Sequence, residues 1–427
     1  MPDLAAPRRV AVIGSGVAGL TAAWVLQRNA FVTLYEKDGR LGGHADTHEV
    51  STSGGPLAVD TGFIVHNDRT YPTLQRLFAE LGVRTQRTDM SMSVRCEGCG
   101  LEYAGGKKAG GLFPSWRTAA RGRYWRMLLE VKRFHEAAQS LLESSGDENE
   151  GETLGEFLQR GGFSDYFSSH FMTPLVSAVW SCSPDTALQY PARYLFAFLE
   201  HHGMLSVTGS PPWRTVVGGS REYVRRVAAA LSEVRSNCAV SSVLERADGV
   251  EVIDTQGEVR YYAAVVVATH PAQALALLKE PTDAHRDVLG AMPYTPNNAL
   301  LHTDEAVLPR LPRARASWNY RLPACDARPE SVLVSYDMTR LQRLDSREGR
   351  RYLVTLGGAG VVASDAVIDR MEYEHPQYTP SSLAAQQRLP ELNTDRVAFA
   401  GAYHGWGFHE DGAAAGLRAA QHLGGAW

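Results

Sequence analysis

The 427-residue sequence contains no run of about eighteen apolar residues, which excludes a membrane-spanning helix. It has no room for a signal peptide ahead of the first apparent strand at Val10, so a cytoplasmic location is expected. Strong charge of either sign is missing as well. A net charge of -4 in a chain of this size predicts no nucleic-acid partner. Cysteine is scarce: Cys96, Cys99, Cys182, Cys238 and Cys325. Only Cys96 and Cys99 form a Cys-x-x-Cys pair, and a zinc ribbon needs a second such pair. A redox pair normally follows a strand at a helix start, whereas Glu97-Gly98 between apolar residues reads as a hairpin turn. The expectation is a plain hairpin and no metal.

What is present is ordinary in bulk, 44% hydrophobic and 21% charged, and long enough for two domains. The organising stretch is Val10–Gly19. Val10 to Ile13 read as a short buried strand, Gly14, Gly16 and Gly19 complete G-x-G-x-x-G, and Leu20–Leu26 continue with helical spacing. Gly14 permits the tight turn, Gly16 a close approach of pyrophosphate, and Gly19 helix–strand packing. Ser15, Val17 and Ala18 supply backbone N–H groups at a helix N-terminus, where an anion is stabilised. A second strand, Phe31–Tyr35, ends in Glu36, placed to hold ribose hydroxyls, with Lys37 beside it.

Directly after the acid comes Asp38-Gly39-Arg40-Leu41-Gly42-Gly43-His44, a second glycine pair that a nicotinamide domain does not need. Together with Val216-Val-Gly-Gly-Ser220 and Val397–Gly416, this resembles the flavin-containing amine oxidoreductase family. That family also takes in phytoene-desaturase-like enzymes and a polyunsaturated fatty acid double-bond isomerase. Asp60-Thr61-Gly62-Phe63, Ser317-Trp-Asn-Tyr320 and Gly407-Phe-His-Glu-Asp-Gly412 look like signatures of its subgroup of predicted NAD/FAD-binding proteins.

The resemblance implies an α/β fold: a Rossmann-like FAD-binding domain from 1–68, 206–290 and 391–427, and a discontinuous α+β substrate domain from 69–205 and 291–390. It implies FAD as cofactor. Arg40, Gly42, Gly43 and His44 would pass the pyrophosphate, with His44 in place of the usual arginine. Thr61, Gly62 and Phe63 would run under the flavin ring, and Val240 would meet the adenine. Gly401, Gly412 and Ala413 would turn the last helix toward the ring, its positive end tuning the cofactor. Ala402 stands where the family carries an acid, a place Asp411 would fill.

The pass along the chain predicts a helix capped by Asn67 or Asp68 and ended by Gly82, and a hairpin around the cysteines. It predicts one long basic helix over Trp116–Glu143 and a polar acidic loop over 144–152. Helices at Leu154–Leu158, Tyr166–Val179 and Ala192–His201 make an aromatic roof. The basic helix, with Trp125, Leu128 and Leu129 among its arginines, could lie on an anionic membrane surface or could be a solvated face.

The resemblance also frames the chemistry. Many amine oxidases of the family carry a lysine on a substrate-domain strand, holding water against the flavin. Here the only lysines are Lys37, Lys107, Lys108, Lys132 and Lys279, and the corresponding strand offers Asn297 and Asn298. This points to chemistry on carbon–carbon bonds: an FAD enzyme that desaturates or isomerises an unsaturated, lipophilic, fatty acyl substrate by hydride transfer. His404, Trp406, His409 and Tyr320 are the candidate catalytic residues, each of which could equally only pack or bind the loop. Arg69, Arg193 and Arg214 are candidates for gripping a carboxylate. The competing readings are an amine oxidase that releases peroxide and a flavin-free lipid escort of the same fold.

Overall fold

The computed structural model describes residues 8–144, 151–206, 209–345 and 349–427, so most of the expected acidic loop at 144–152 lies outside the described residues. The strand–glycine–helix start folds as its pattern dictates. Arg9–Ile13 sits in the middle of a five-stranded sheet in the order 233–235, 31–35, 9–13, 264–267, 397–399. Every pairing in it is parallel, with Val12 opposite Leu34 on one side and Val266 on the other. Both faces are covered, which is why Val10–Ile13 and Ala264–Val267 are unbroken apolar runs. The meander forms beside it as an antiparallel sheet of Val240–Arg246, Gly249–Asp254 and Val259–Tyr262.

The last helix, His409–His422, lies along the first, Val17–Leu26, with little between them but backbone. A Cβ on Gly412 would meet Val17 Cγ1 at 2.7 Å, and one on Gly416 would meet the Ala18 carbonyl oxygen at 2.1 Å. The two ends of the sequence therefore meet in space.

A second sheet of seven strands runs in the order 367–376, 294–302, 353–356, 334–337, 318–322, 92–96, 102–105. The cysteine hairpin, Met92–Cys96 with Glu102–Gly105, docks on its edge through a parallel pairing of Met92–Cys96 with Trp318–Leu322. Helices roof this sheet around a cluster of phenylalanines: Phe134 and Phe157 both meet Phe196 edge-on, at 5.3 and 4.7 Å between centroids. Outgoing strand Thr85–Arg87 and returning strand Trp213–Val216 pair antiparallel where the chain passes between the two layers.

Several local expectations change. Neither Asn67 nor Asp68 caps the helix Pro72–Leu81. Asn67 Oδ1 instead closes a turn by accepting from the N–H groups of Arg69 and Thr70. The helix starts at Pro72, and its free Thr73 and Leu74 N–H groups donate to the Glu410 carboxylate from the last helix. Its Leu74, Leu77 and Phe78 join the core of the parallel sheet. The long basic helix is two pieces, Trp116–Ala119 and Gly122–Glu143. The helix expected over Tyr166–Val179 is three, with a π-helical turn at Ser168–Met172 in its middle. Among the described residues no helix is long and apolar enough to cross a membrane.

Because Gly416 leaves no space for a side chain, Gly416→Val should force the two helices apart, at a cost of about 1–3 kcal/mol or more. The expected result is a lower thermal midpoint and a lower flavin-to-protein ratio after purification. An unchanged midpoint would show that the helices do not pack this closely.

Candidate active site

One cavity of about 1080 Å³ runs from the parallel sheet to the second sheet and the roof. Pockets that hold a single small ligand run to roughly 300–1,000 Å³, so this cavity is large enough for a ligand at the top of that range.

At the sheet end, Gly14 has a φ of +99° and a Cβ there would strike the Ala268 carbonyl at 2.5 Å, so the turn demands glycine. Nothing lies within 4 Å of a Cβ on Gly16, whose face opens to the cavity, while a Cβ on Gly43 would meet Gly16 Cα at 3.2 Å. The two glycine motifs thus lie edge to edge and leave a bare strip of backbone, the cradle a pyrophosphate requires. Gly19 and Gly42 stay off the wall. Gly19 packs on the Gly14 carbonyl, and Gly42, at φ +115°, packs on that of Ala45. Glu36 Oε2 accepts from the Ser15 N–H (3.0 Å) and hydroxyl (2.5 Å), and Oε1 from the Asp38 N–H (3.0 Å), which aims the carboxylate along the same wall. Lys37, Arg40 and Val240 line it too.

Further in, Thr61, Gly62, Phe63, His44, Gly401 and the Gly407–His409 turn surround the cavity. The N-termini of the first and last helices both face it, a favourable field for negative charge. Gly62 lines the cavity, and a Cβ there would strike the His44 carbonyl at 2.2 Å. The buried His44 Nε2 and Tyr403 Oη have no protein partner and lie on this wall, as groups that await a polar ligand do. The wall residues fit a flavin dinucleotide.

Asp411 does not. Its carboxylate accepts from the Phe408 N–H at 2.9 Å and caps its own helix, and burial pushes it up to about 7. Gly412 and Ala413 stay in the helix contact behind the wall.

Three of the four expected catalytic residues lie off the cavity. Tyr320 shares a sheet face with Trp318 but is fully buried in the core beneath the roof. His404 is tucked against Tyr403, and burial lowers it to about 3. Trp406 packs among Tyr194, Phe198 and His201. His409 does reach the wall, but its ring stacks on Phe63 at 3.7 Å and its Nε2 lies 2.8 Å from the Tyr223 hydroxyl. Burial holds it neutral. The three arginines are committed elsewhere: Arg69 to the His201 carbonyl, Arg193 to Ser144, Arg214 to Asp68. Asn297 hydrogen-bonds His375 at 3.0 Å, and Asn298 is exposed.

At the end of the cavity where the resemblance would put the flavin ring, hereafter the ring end, two lining residues were missed. Tyr373 and His375 project from strand Val367–Pro376, and His44 meets both rings at 5.2 and 5.4 Å. The Tyr373 hydroxyl donates to Asp46 at 2.9 Å and lies 2.6 Å from the Thr61 hydroxyl. The alternation Met371, Tyr373, His375 against Arg370, Glu372, Glu374 was the available signal. Beyond them the wall turns apolar: Met90, Trp180, Phe198, Trp213, Trp318 and Tyr336.

The sequence profile described as flavin containing amine oxidoreductase matches residues 17–424. The chain belongs to that family. As a flavin-containing amine oxidoreductase it is an enzyme and its cofactor is FAD, and the cradle described above accommodates it. The flavin-free escort reading falls with this. Solved structures share the fold over nearly the whole length. A cyclohexylamine oxidase from Brevibacterium oxydans IH-35A superposes with a TM-score of 0.71 at 16% identity, covering 98% of this chain and 99% of that one. A fatty acid isomerase from P. acnes that produces CLA gives 0.67 at 15%, with 98% and 99% coverage. A putative protoporphyrinogen oxidase from Exiguobacterium sp. 255-15 gives 0.66 at 16%, again with 98% and 99%. No curated protein sequence matches the chain.

Burial holds His44 near 4, helped by the neighbouring His270, and His375 near 3, whereas histidine in an unfolded chain titrates near 6.5. Both native values are depressed, so the unfolded chain binds more protons between them. The stability that comes from keeping these rings neutral is complete above about pH 6.5. It falls away as pH drops toward 4, by up to ~1.4 kcal/mol per pH unit per ring. The urea midpoint of the apoprotein should fall between pH 7 and pH 5, and fall less in His44→Gln. Parallel pH dependence in the two proteins would exclude His44 as a source.

Proposed function

We propose that this flavin-containing amine oxidoreductase acts on carbon–carbon bonds of an unsaturated lipid or fatty acyl chain, by desaturation or double-bond isomerisation. The observation that carries the reading is the chemistry of the far wall. The charged residues on the cavity come from 36–48 and from 369–374, and several are paired there: Arg40 with Asp46, His48 with Asp46 and Asp369, and Glu374 with the neighbouring His270. The apolar end, among the described residues, offers no carboxylate, lysine or arginine: its titratable groups are His202 and the hydroxyls of Tyr71 and Tyr336, both of which burial keeps protonated. The His202 Nδ1 is tied to the Phe198 carbonyl at 3.0 Å, and burial lowers this histidine to about 4. An alkylammonium ion entering this end would lose its hydration with no carboxylate to replace it. A hydrocarbon chain loses nothing there.

FAD, held by the glycine cradle and the wall around Thr61–Phe63, would supply a two-electron centre for hydride exchange with an allylic carbon. The protein contributes walls. Trp180, Trp213 and Trp318 exclude water and hold an extended chain by its apolar area, about 25 cal/mol per Å² buried. No lysine reaches the ring end from the substrate-domain strands. Lys107 donates to the Arg315 carbonyl and Lys279 is exposed. Holoenzyme incubated with mono- and polyunsaturated fatty acids should shift or add double bonds detectable by gas chromatography and mass spectrometry. A panel of amines should release no peroxide. Amine turnover with every fatty acid unchanged would reverse the assignment.

Peripheral membrane contact belongs to the same proposal. Trp116 is 76% exposed, Leu129 72% and Trp125 48%, beside the exposed Arg117, Arg123, Arg126 and Lys132. Exposed indole rings among cations fit an anionic lipid surface, the source of a fatty acyl substrate. The protein should sediment with vesicles rich in phosphatidylglycerol, and Trp116→Ala with Leu129→Ala should weaken this severalfold. Equal recovery with neutral and anionic vesicles would leave the patch as a solvated face.

A further inference from the structure

The cysteine hairpin has no part in the cavity, yet four soft donors converge on its turn. Cys96 Sγ lies 3.7 Å from Cys325 Sγ, and Cys99 Sγ lies 3.7 Å from His170 Nε2. All four atoms fall within 4.8 Å of one another. Zinc bonds of about 2.3 Å to sulfur and about 2.05 Å to nitrogen give tetrahedral edges of about 3.8 Å between sulfurs and about 3.6 Å between sulfur and nitrogen. The two short edges match. A disulfide would need its sulfurs at about 2.05 Å, and all five cysteines are free.

Independent features of the fold serve this convergence. His170 is fully buried in the π-helical turn Ser168–Met172, a distortion that recurs at functional sites. Its Nδ1 lies 3.1 Å from the Tyr166 carbonyl, so Nδ1 carries the proton and Nε2 turns its lone pair toward Cys99. That is the arrangement of a metal-bound imidazole held by a backbone carbonyl. Gly98, between the two hairpin cysteines, lets the third strand of chain come close: a Cβ there would stand 3.0 Å from Ala324 Cα and from the Cys325 nitrogen. Gly100, at φ +66°, turns the chain back after Cys99. The Arg121 guanidinium donates to the carbonyls of Cys99 (2.7 Å) and Gly100 (3.3 Å), placing positive charge beside what would be three thiolates.

We propose that Cys96, Cys99, Cys325 and His170 bind one structural zinc ion. Three thiolates and an imidazole whose ligand atoms all lie within 4.8 Å of one another are a donor set for zinc, and four protein ligands leave no open position for catalysis. On binding, the three thiols give up their protons to solvent. The site clips together three pieces distant in sequence: the hairpin, the roof, and the loop that follows Trp318–Leu322, whose Trp318 lines the apolar end of the cavity. The site carries no second Cys-x-x-Cys pair, because its third and fourth ligands are single residues from separate elements.

Holoenzyme purified without chelator or added metal should contain close to one zinc per chain by inductively coupled plasma mass spectrometry. The stoichiometry should not depend on flavin content. Cobalt exchanged into the site should give thiolate charge-transfer bands and the intense visible bands of a tetrahedral ion. Cys325→Ser and His170→Ala should reduce zinc to a small fraction of an equivalent. His170→Cys should retain metal with altered cobalt bands, a result that mere packing at this position would not produce. Cys182→Ser and Cys238→Ser, outside the cluster, should leave the metal in place. Zinc-free protein that takes up no cobalt would overturn the proposal. So would a Cys96–Cys325 disulfide in the native protein, or full zinc content in Cys325→Ser.

Discussion

The contact on which this architecture depends is the one between the first helix and the last, made almost without side chains. Gly412 lies over Val17 and Gly416 over the Ala18 carbonyl, and the neighbouring positions are Ala413, Ala415, Ala419 and Ala420. Small residues let two helix dipoles run close together with both positive ends on one cavity wall. Larger side chains would move the 407–409 turn away from the Gly14–Ala18 cradle. The dinucleotide would then face one helix terminus instead of two.

A second constraint joins the layers. Asp60 is fully buried and accepts from the Thr47 hydroxyl, the Ser220 N–H and hydroxyl, and the Gln342 amide. Its own N–H donates to Gln342 Oε1. One carboxylate thereby fixes the strand that leads to Phe63, the helix that begins after Gly219, and the short helical turn after the seven-stranded sheet's Val334–Asp337. Burial raises it to about 6 despite these bonds, so desolvation outweighs them. The ring end of the cavity sits against this knot and the apolar end against the roof, which separates a polar, tightly bonded half from a greasy one.

Much of the parallel sheet was legible because its signals are local. Val10–Ile13, the three glycines and Glu36 are each specified by residues within a turn or a strand of one another. The meander and the hairpin followed from alternation and turn residues. What escaped depends on contacts between distant segments. Glu410 reads as an acid in the first turn of its own helix, yet it caps Pro72–Leu81. Tyr320 carries an aromatic ring at the right parity of its strand, but lies two residues past the cavity's edge. Tyr373 and His375 stood in a readable alternation, and nothing in the linear pattern tells which face of an antiparallel sheet meets a cofactor. The π-helical turn at His170 has no sequence signature of its own.

The helix contact also has a temporal side. Translation proceeds from Gly14 toward Gly416, so the nascent polypeptide carries a finished βαβ unit long before the other side of its cofactor pocket exists. Until residues 401–416 leave the ribosome, the Val17–Ala18 surface is exposed and apolar, and FAD can meet only one of its two helix termini. A site built on both helix termini is therefore complete only once the final helix has been made and has docked.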